Sequence, residues 1–389
     1  MQISEGQRWR HFAAVPVLIR QLLRRSQALG LLAAGPALGR LGARTMNQSM
    51  PTPPSPERST SAVTFYTVAD ESFFPGVVAL VNSLRVCGHS ERVVVGDVGL
   101  RPDQRARLEG VAEVVNIAGD LIENPLLYKP FAHMFDPQGI VVIIDSDMVV
   151  TRRLDDVLAS AAAGQICLFT DETQEERFFP EWQELFALRC PMRRQPSLNS
   201  GFVAFNVAQW PDLLSRWWEA CATIPSAGTR SCGGPWAGPH WDGDQDALNA
   251  LLMSEVPAAA IETQPQYVTD LLLQVRVDDP RTLLCSRAGQ KVALLHHTGT
   301  PKPWRRQAWM RVRRNAYVRL LPRLLTEPDV ALRLRADDLP VWLRPGLRGG
   351  LTLGVLSACN GAVRAVVRRA PAKVYRRLRR LRDRLVGDV

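Results

Sequence analysis

The residues with the clearest chemical content are Asp145 and Asp147, two carboxylates separated by one residue, directly after the apolar run Gly139-Ile-Val-Val-Ile-Ile144. Carboxylates that close both resist ionisation unless a cation compensates them. Their oxygens suit Mg²⁺ or Mn²⁺, and either ion can bridge the phosphates of a nucleotide. An Asp-x-Asp pair arises constantly by chance in solvated loops. Here the preceding run marks a strand covered on both faces, and a strand end in an open α/β sheet faces the crevice where such sheets bind ligands.

The elements that must position this pair follow from local pattern. Val63-Thr-Phe-Tyr-Thr67 is β-branched and aromatic and predicts a first strand, residues 74–84 have helical periodicity, and Arg92-Val-Val-Val-Gly96 predicts a second strand. Pro102 stands where a helix opens, and residues 104–108 continue it. A third strand is expected over residues 111–117, while Met148-Val-Val150 extends the region of the apolar run. Further strands are expected at residues 166–169 and 201–205. A helix over 210–221 carries Trp210, Leu213, Leu214, Trp217 and Trp218 on one face, and these tryptophans read as core rather than as a sugar platform. Strands alternating with helices predict an α/β fold with a mainly parallel central sheet flanked by helices. Residues 225–243, rich in Gly, Pro, Ser and Trp, read as a binding loop or a disordered one. After Trp304 the sequence turns basic and helical.

Charge distribution excludes one class of partner. The net charge is +10 over 389 residues, but residues 1–45 carry seven Arg against Glu5, a net of +6. Residues 344–389 carry eleven Arg and Lys373 against Asp383 and Asp388, a net of +10. Residues 46–343 are left at −6, so a basic nucleic-acid groove across the folded body is not expected. The seven cysteines include no C-x-x-C pair and read as reduced, mostly buried small hydrophobes of a cytoplasmic protein. No stretch reaches the roughly 18–20 apolar residues of a membrane span. Residues 1–45 resemble an organellar transit peptide, or else translation starts at Met46 or Met50 and Pro51-Thr-Pro-Pro-Ser-Pro56 is a disordered leader.

Five separated motifs, in order, resemble glycosyltransferase family 8, whose members have the nucleotide-sugar-binding GT-A fold. They are Tyr66-Thr-Val-Ala-Asp70, Asp145-Ser-Asp147, Leu198-Asn-Ser-Gly201, Asp244-Gln-Asp-Ala-Leu-Asn249 and His296-His-Thr-Gly-Thr-Pro-Lys-Pro-Trp304. The last is long and specific, matching the family's closing His-x-x-Gly-x-x-Lys-Pro-Trp pattern. The resemblance covers residues 62–305. It implies a retaining hexosyltransferase that uses a UDP-sugar donor, Mn²⁺ or Mg²⁺, and a carbohydrate, glycolipid or protein acceptor.

Carried onto this sequence, the resemblance makes His296 the third metal ligand beside Asp145 and Asp147. Gly299 lets the backbone approach the diphosphate, and Lys302 gives it a positive point charge. Ala69 and Asp70 face the base, although Asp70 equally suits the N-cap of a helix. Lys129, in Leu127-Tyr-Lys-Pro130, stands near a family donor-binding cation, or is a surface lysine. Asn199 and Asp244 bond donor-sugar hydroxyls, with Gln245 beside the anomeric carbon; Asp244 also suits a helix N-terminus. Gln245 is a poor nucleophile, which favours front-face attack by the acceptor over a covalent intermediate.

The expected organisation is a leader over residues 1–61, a GT-A domain over 62–305, a helical extension over 306–343 and a basic amphipathic tail over 344–389. In residues 361–386 apolar and Arg positions alternate, and Pro371 predicts two short helices. Such a tail reads as an anchor to an anionic membrane surface at its cytoplasmic face, or as a solvated or partner-binding helix. Two other functions fit a similar sheet: a nucleotidyltransferase, disfavoured by the acidic Ala69-Asp-Glu-Ser-Phe73 where a basic Gly-rich loop is wanted, and an inactive nucleotide-sugar binder.

Overall fold

The computed structural model describes residues 62–117, 125–170, 176–225, 229, 238–264, 267–269 and 274–368. The leader, most of the 225–243 loop and the divided tail after residue 368 lie outside these. The chain runs β1 (Val63–Ala69), α1 (Phe74–Val86), β2 (Arg92–Asp97), α2 (Pro102–Leu108), β3 (Glu113–Asn116), β4 (Ile140–Ile144), β5 (Met148–Val150), α3 (Asp155–Ala162) and β6 (Ile166–Thr170). It continues with α4 (Trp182–Leu185), β7 (Leu198–Asn206), α5 (Leu213–Ala222), α6 (Asp244–Ser254), β8 (Ile261–Gln264) and β9 (Tyr267–Thr269). Next come β10 (Arg276–Asp279), β11 (Leu284–Arg287), β12 (Gln290–Lys291), β13 (Leu294–His296), α7 (Ala316–Thr326) and α8 (Leu347–Arg368).

Seven strands form the central sheet in the order β3-β2-β1-β4-β7-β6-β8. The pairings β2–β3, β1–β2, β1–β4 and β6–β8 are parallel, and only β7 runs against its neighbours. This is the α/β class expected: a mainly parallel sheet covered by helices. Pleating explains the continuous apolar strand. Ile140, Val142 and Ile144 of β4 enter the core shared with α1, α3 and α7, while Val141 and Ile143 enter the core shared with α5 and α6. Trp217 is fully buried in the second core, with Trp210 and Trp218 packed against it, so the tryptophans of α5 are core.

Two expectations shift in detail. Residues 111–112 belong to the turn after α2, with Val111 N–H bonded to the Leu108 carbonyl, so β3 is shorter than residues 111–117. Residues 148–150 do not prolong β4; they form β5 in a separate sheet of order β5-β13-β9. The helical extension is tied to the domain by buried Asn82 of α1. Its Nδ2 donates to the carbonyls of Leu324 (2.6 Å) and Leu332 (2.7 Å), and its Oδ1 accepts from Leu332 N–H at 3.0 Å.

After α1 a buried imidazole ties the loop to the start of α3. His89 Nδ1 meets Glu91 Oε2 at 3.1 Å, and Nε2 accepts from Leu154 N–H at 3.1 Å. The ring is therefore neutral with its proton on Nδ1. Burial lowers its pKa below the ordinary 6.5, against a smaller opposing effect of Glu91. The unfolded chain takes this proton first as pH falls, so the contribution is complete above about 6.5 and is lost in acid. Thermal melts from pH 7.5 to 5.5 should show a falling melting temperature whose slope is reduced in His89→Gln. Equal slopes in the two proteins would remove His89 as the cause.

Candidate active site

The turn that ends β4 is closed by Met148 N–H on the Asp145 carbonyl at 3.0 Å, and Asp145 N–H donates to the Gly201 carbonyl at 2.8 Å. The chain leaves this turn as β5, which pairs antiparallel with β13 in a register that sets Met148 opposite His296. His297 N–H then donates to the Asp147 carbonyl at 3.1 Å. The result puts His296 Nε2 3.1 Å from Asp147 Oδ1 and 3.6 Å from Asp145 Oδ2. One ligand atom from each of the three residues lies within 4.8 Å of the others. His297 turns the other way, its ring 5.3 Å from that of Tyr317.

Two lysines reach the carboxylates from opposite sides. Lys302 Nζ lies 2.5 Å from Asp147 Oδ2 and donates to the His297 carbonyl at 2.7 Å. Lys129 Nζ bridges Asp145 Oδ1 and Asp244 Oδ2, each at 2.8 Å, and stands 3.3 Å from Ser200 Oγ. For Asp147, burial favours the neutral acid, yet Lys302 and His296 outweigh it and hold the carboxyl well below the usual range. Asp145 is shifted upward, by burial first and then by like-charged Asp147 and Asp244, against Lys129 and His296. Burial opposes the charge on Lys129 too, but its two aspartates hold the ammonium well above its usual pKa.

Two carboxylates and an imidazole, converging on one point at a strand end, fit a divalent cation. Gly201 keeps this point open. A Cβ there would lie 2.7 Å from Met148 Cε, 2.8 Å from Asn199 Oδ1 and 2.9 Å from Asp145 Oδ2.

Of the remaining sequence-predicted residues, Asp244 is tied to this centre through Lys129. Asp244 and Gln245 open α6, and Ser200 joins them to β7: its hydroxyl donates to Asp244 Oδ2 at 2.7 Å and its N–H to Gln245 Oε1 at 3.3 Å. Asn249 locks the two motifs together. It accepts from Leu198 N–H and donates to the carbonyls of Leu198 and Gln245, all at 2.8 Å. Asn199 folds back on its own turn, its Oδ1 accepting from Gly201 N–H at 2.8 Å. Gly299 lies on the loop from His296 to Lys302, and that loop is pinned by Trp304, whose Nε1 donates to the Ser72 carbonyl at 2.9 Å.

Ala69 is buried at the end of β1. Asp70 caps the 3₁₀ turn Glu71–Phe73, its Oδ1 accepting from the N–H groups of Ser72 (2.7 Å) and Phe73 (3.0 Å). Sequence reasoning did not single out Ser200, Asn249 or Arg177. The first two lie inside motifs already noted; Arg177, which grips Asp246 of α6 at 2.7 and 2.8 Å, has no local signal.

No family model matches the sequence, and no curated protein matches it. Among solved structures, the bifunctional glycosyltransferase WbbM in its apo form is 18% identical, with a TM-score of 0.42 over 69% of this chain and 50% of that one. The chain thus spans half the length of WbbM. The galactosyltransferase LgtC with donor and acceptor sugar analogues is 16% identical, with a TM-score of 0.43 over 68% of this chain and 98% of that one. The glycosyltransferase GlyE of Streptococcus pneumoniae TIGR4 in its apo form is 11% identical, with a TM-score of 0.41 over 63% and 56%. Likeness this slight carries no argument about activity.

If Gly201 keeps Asp145 in place, Gly201→Ala should weaken Mn²⁺ binding, measured by calorimetry, by about tenfold with the fold retained by circular dichroism. Unchanged affinity would mean that the crowded side chains relax away from the cation site.

Proposed function

We propose that the protein is a retaining, metal-dependent glycosyltransferase of the family 8 kind, with a GT-A domain. It would move a hexose from a UDP-sugar to a carbohydrate, glycolipid or protein acceptor. The observation that carries this reading is the convergence at one sheet end of Asp145, Asp147, His296, Lys302, Lys129, Asp244 and Gln245 from four separated segments. Asp145, Asp147 and His296 would hold Mn²⁺ or Mg²⁺, which when bound supplies positive charge to the departing diphosphate.

The chain's own groups do the rest. Lys302 stabilises the negative charge that builds on the diphosphate, beside the backbone at Gly299. Ala69 and Asp70 hold the base, with one Asp70 oxygen engaged by the turn it caps. Asn199 and Asp244 orient the donor sugar, and Lys129 fixes Asp244 against Asp145. Retention by front-face attack is supported by the state of the nearby carboxylates. Asp244 Oδ2 is engaged by Lys129 and Ser200, and both oxygens of Asp246 by Arg177, which lowers the nucleophilicity of both carboxylates. The acceptor hydroxyl then attacks on the face the diphosphate leaves, and its proton passes to a leaving-group oxygen.

We place the protein in the cytoplasm, at an anionic membrane surface. Among the described residues no helix is long and apolar enough to cross a membrane. α8 instead turns Leu347 (80% exposed), Leu351 (60%), Val355 (41%) and Val363 (45%) outward, while Leu353 and Leu356 enter the core. Leu347, Leu351 and Val355 line an open depression of about 420 Å³ with Arg314 at its rim. The sequence continues with eight basic residues against Asp383 and Asp388 over 369–389. A second copy would set arginine against arginine, whereas an anionic bilayer matches both the apolar stripe and the charge, at roughly 1 kcal/mol per basic residue.

Nucleoside diphosphate release from UDP-, GDP- and ADP-sugars, with and without Mn²⁺, tests the reaction. Mn²⁺-dependent release from one UDP-sugar, abolished by Asp147→Ala, is expected; absence of both release and Mn²⁺-dependent UDP binding would end the reading. For the membrane, Leu351→Asp/Val355→Asp should no longer sediment with phosphatidylserine-containing vesicles while keeping Mn²⁺-dependent UDP binding. Sedimentation equal to the wild type would refute the surface.

A further inference from the structure

Gln245 stands between two carboxylates that are held by two different cations. Asp244 is bound by Lys129, which also binds Asp145, so that side of the first turn of α6 is tied to the metal end of the site. Asp246 points to the other side of the turn, two residues on, and is bound by Arg177. This grip is bidentate, with Nε 2.7 Å from Oδ1 and Nη2 2.8 Å from Oδ2. The Asp246 side chain is 2% exposed. Fork-to-fork geometry of this kind fixes direction as well as distance, which a lysine could not do.

The same guanidinium holds the approach to α6. Its Nη2 donates to the Gly238 carbonyl at 3.1 Å, its Nε lies 3.3 Å from Asp242 Oδ2, and it packs 5.2 Å from the centre of the Phe179 ring. Asp246 Oδ2 also accepts from Asp242 N–H at 2.9 Å, and Trp182 Nε1 donates to the Pro239 carbonyl at 2.7 Å. The helix needs such support. Its N-cap is Gly243, at φ 57°, which brings no side chain to cap the first turn. The rotation of that turn therefore rests on contacts to its carboxylates and backbone. On the Asp244 side these are Lys129, Ser200 and the Trp217 bond to the Asp244 carbonyl at 2.9 Å; on the Asp246 side the ion pair is with Arg177.

We propose that Arg177 is a positioning residue that sets Gln245 at the reacting centre, acting through its two-pronged grip on Asp246. The proposal rests on the glycosyltransferase reading. Arg177 acts through Asp246 rather than on donor or acceptor. It holds the first turn of α6 from the side opposite Lys129, so Gln245 cannot rotate with the turn.

A purely structural role would be satisfied once no charge is left unpaired. Arg177→Met/Asp246→Asn comes nearest to that condition, because it removes both charges of the buried pair, keeps an oxygen for Asp242 N–H, and takes Arg177 only from the part-exposed Asp242 carboxylate. Melting temperature, Mn²⁺-dependent UDP affinity, and kcat and KM for the UDP-sugar that the wild type hydrolyses are to be measured. In the double variant, melting temperature and UDP affinity should stay near wild type, KM within about twofold, and kcat should fall about 100-fold. Arg177→Lys, which keeps the charge and loses the fork, should fall between the two. A double variant with wild-type kcat, or one whose UDP affinity falls in step with kcat, overturns the assignment of Arg177 alone. A wild type that neither hydrolyses a UDP-sugar nor binds UDP with Mn²⁺ overturns the glycosyltransferase reading, and this inference with it.

Discussion

Everything at the site depends on holding three carboxylates, Asp145, Asp147 and Asp244, in one partly buried cleft. Like charges at hydrogen-bonding separations cannot all ionise in a poorly solvated place without compensation. The fold provides it with one lysine on each flank and an imidazole between. Asp147 has the more complete set, Lys302 and His296, and it stays ionised strongly. Asp145 shares Lys129 with Asp244, and burial first, then like-charged Asp147 and Asp244, make its carboxyl easier to protonate.

Bringing these groups together is a problem of register rather than of local structure. β4 carries the aspartates to the sheet end, but His296 and Lys302 come from a segment some 150 residues later in the chain. Antiparallel pairing of β5 with β13 solves it, because strand register fixes which side chains stand side by side. A shift of one residue would present His297 in place of His296. The bond from His297 N–H to the Asp147 carbonyl continues the ladder past β13 and pins that register at the point where it matters.

The pattern of the sequence explains what was legible in it. β4 was plain because both its faces are buried, so all five of its residues are apolar. The first residues of β7 were not counted as strand, since Asn199 and Ser200 are polar; their places come from pairing with β6 and from Asn249 and Gln245, which no local window contains. Residues 148–150 look like more of the same strand, and only the turn closed between Asp145 and Met148 redirects them into a second sheet. Asp145 and Asp147 could be named because they follow an apolar strand, and His296 because the resemblance to family 8 marks it. The bridge from Lys129 to Asp244 spans residues far apart, and the grip of Arg177 on Asp246 pairs a residue outside every motif with one inside; neither has a sequence signature. Asp70 shows the opposite limit. An aspartate at a strand-to-helix junction fits both a cap and a ligand, and the cap is formed.

The charge balance also bears on how ligands would enter. Three carboxylates face two ammonium groups and the imidazole of His296 in this cleft. A divalent cation alone would add positive charge among groups that include two lysines already engaged with the same carboxylates. A nucleoside diphosphate brings negative oxygens that both lysines and the cation can share. On the glycosyltransferase reading, cation and diphosphate are therefore mutually favourable ligands, and by linkage each raises the affinity for the other by the same factor. Lys302, at 2.5 Å from Asp147, is the group best placed to carry that coupling, because the cation competes with it for the carboxylate while the diphosphate offers it a new partner.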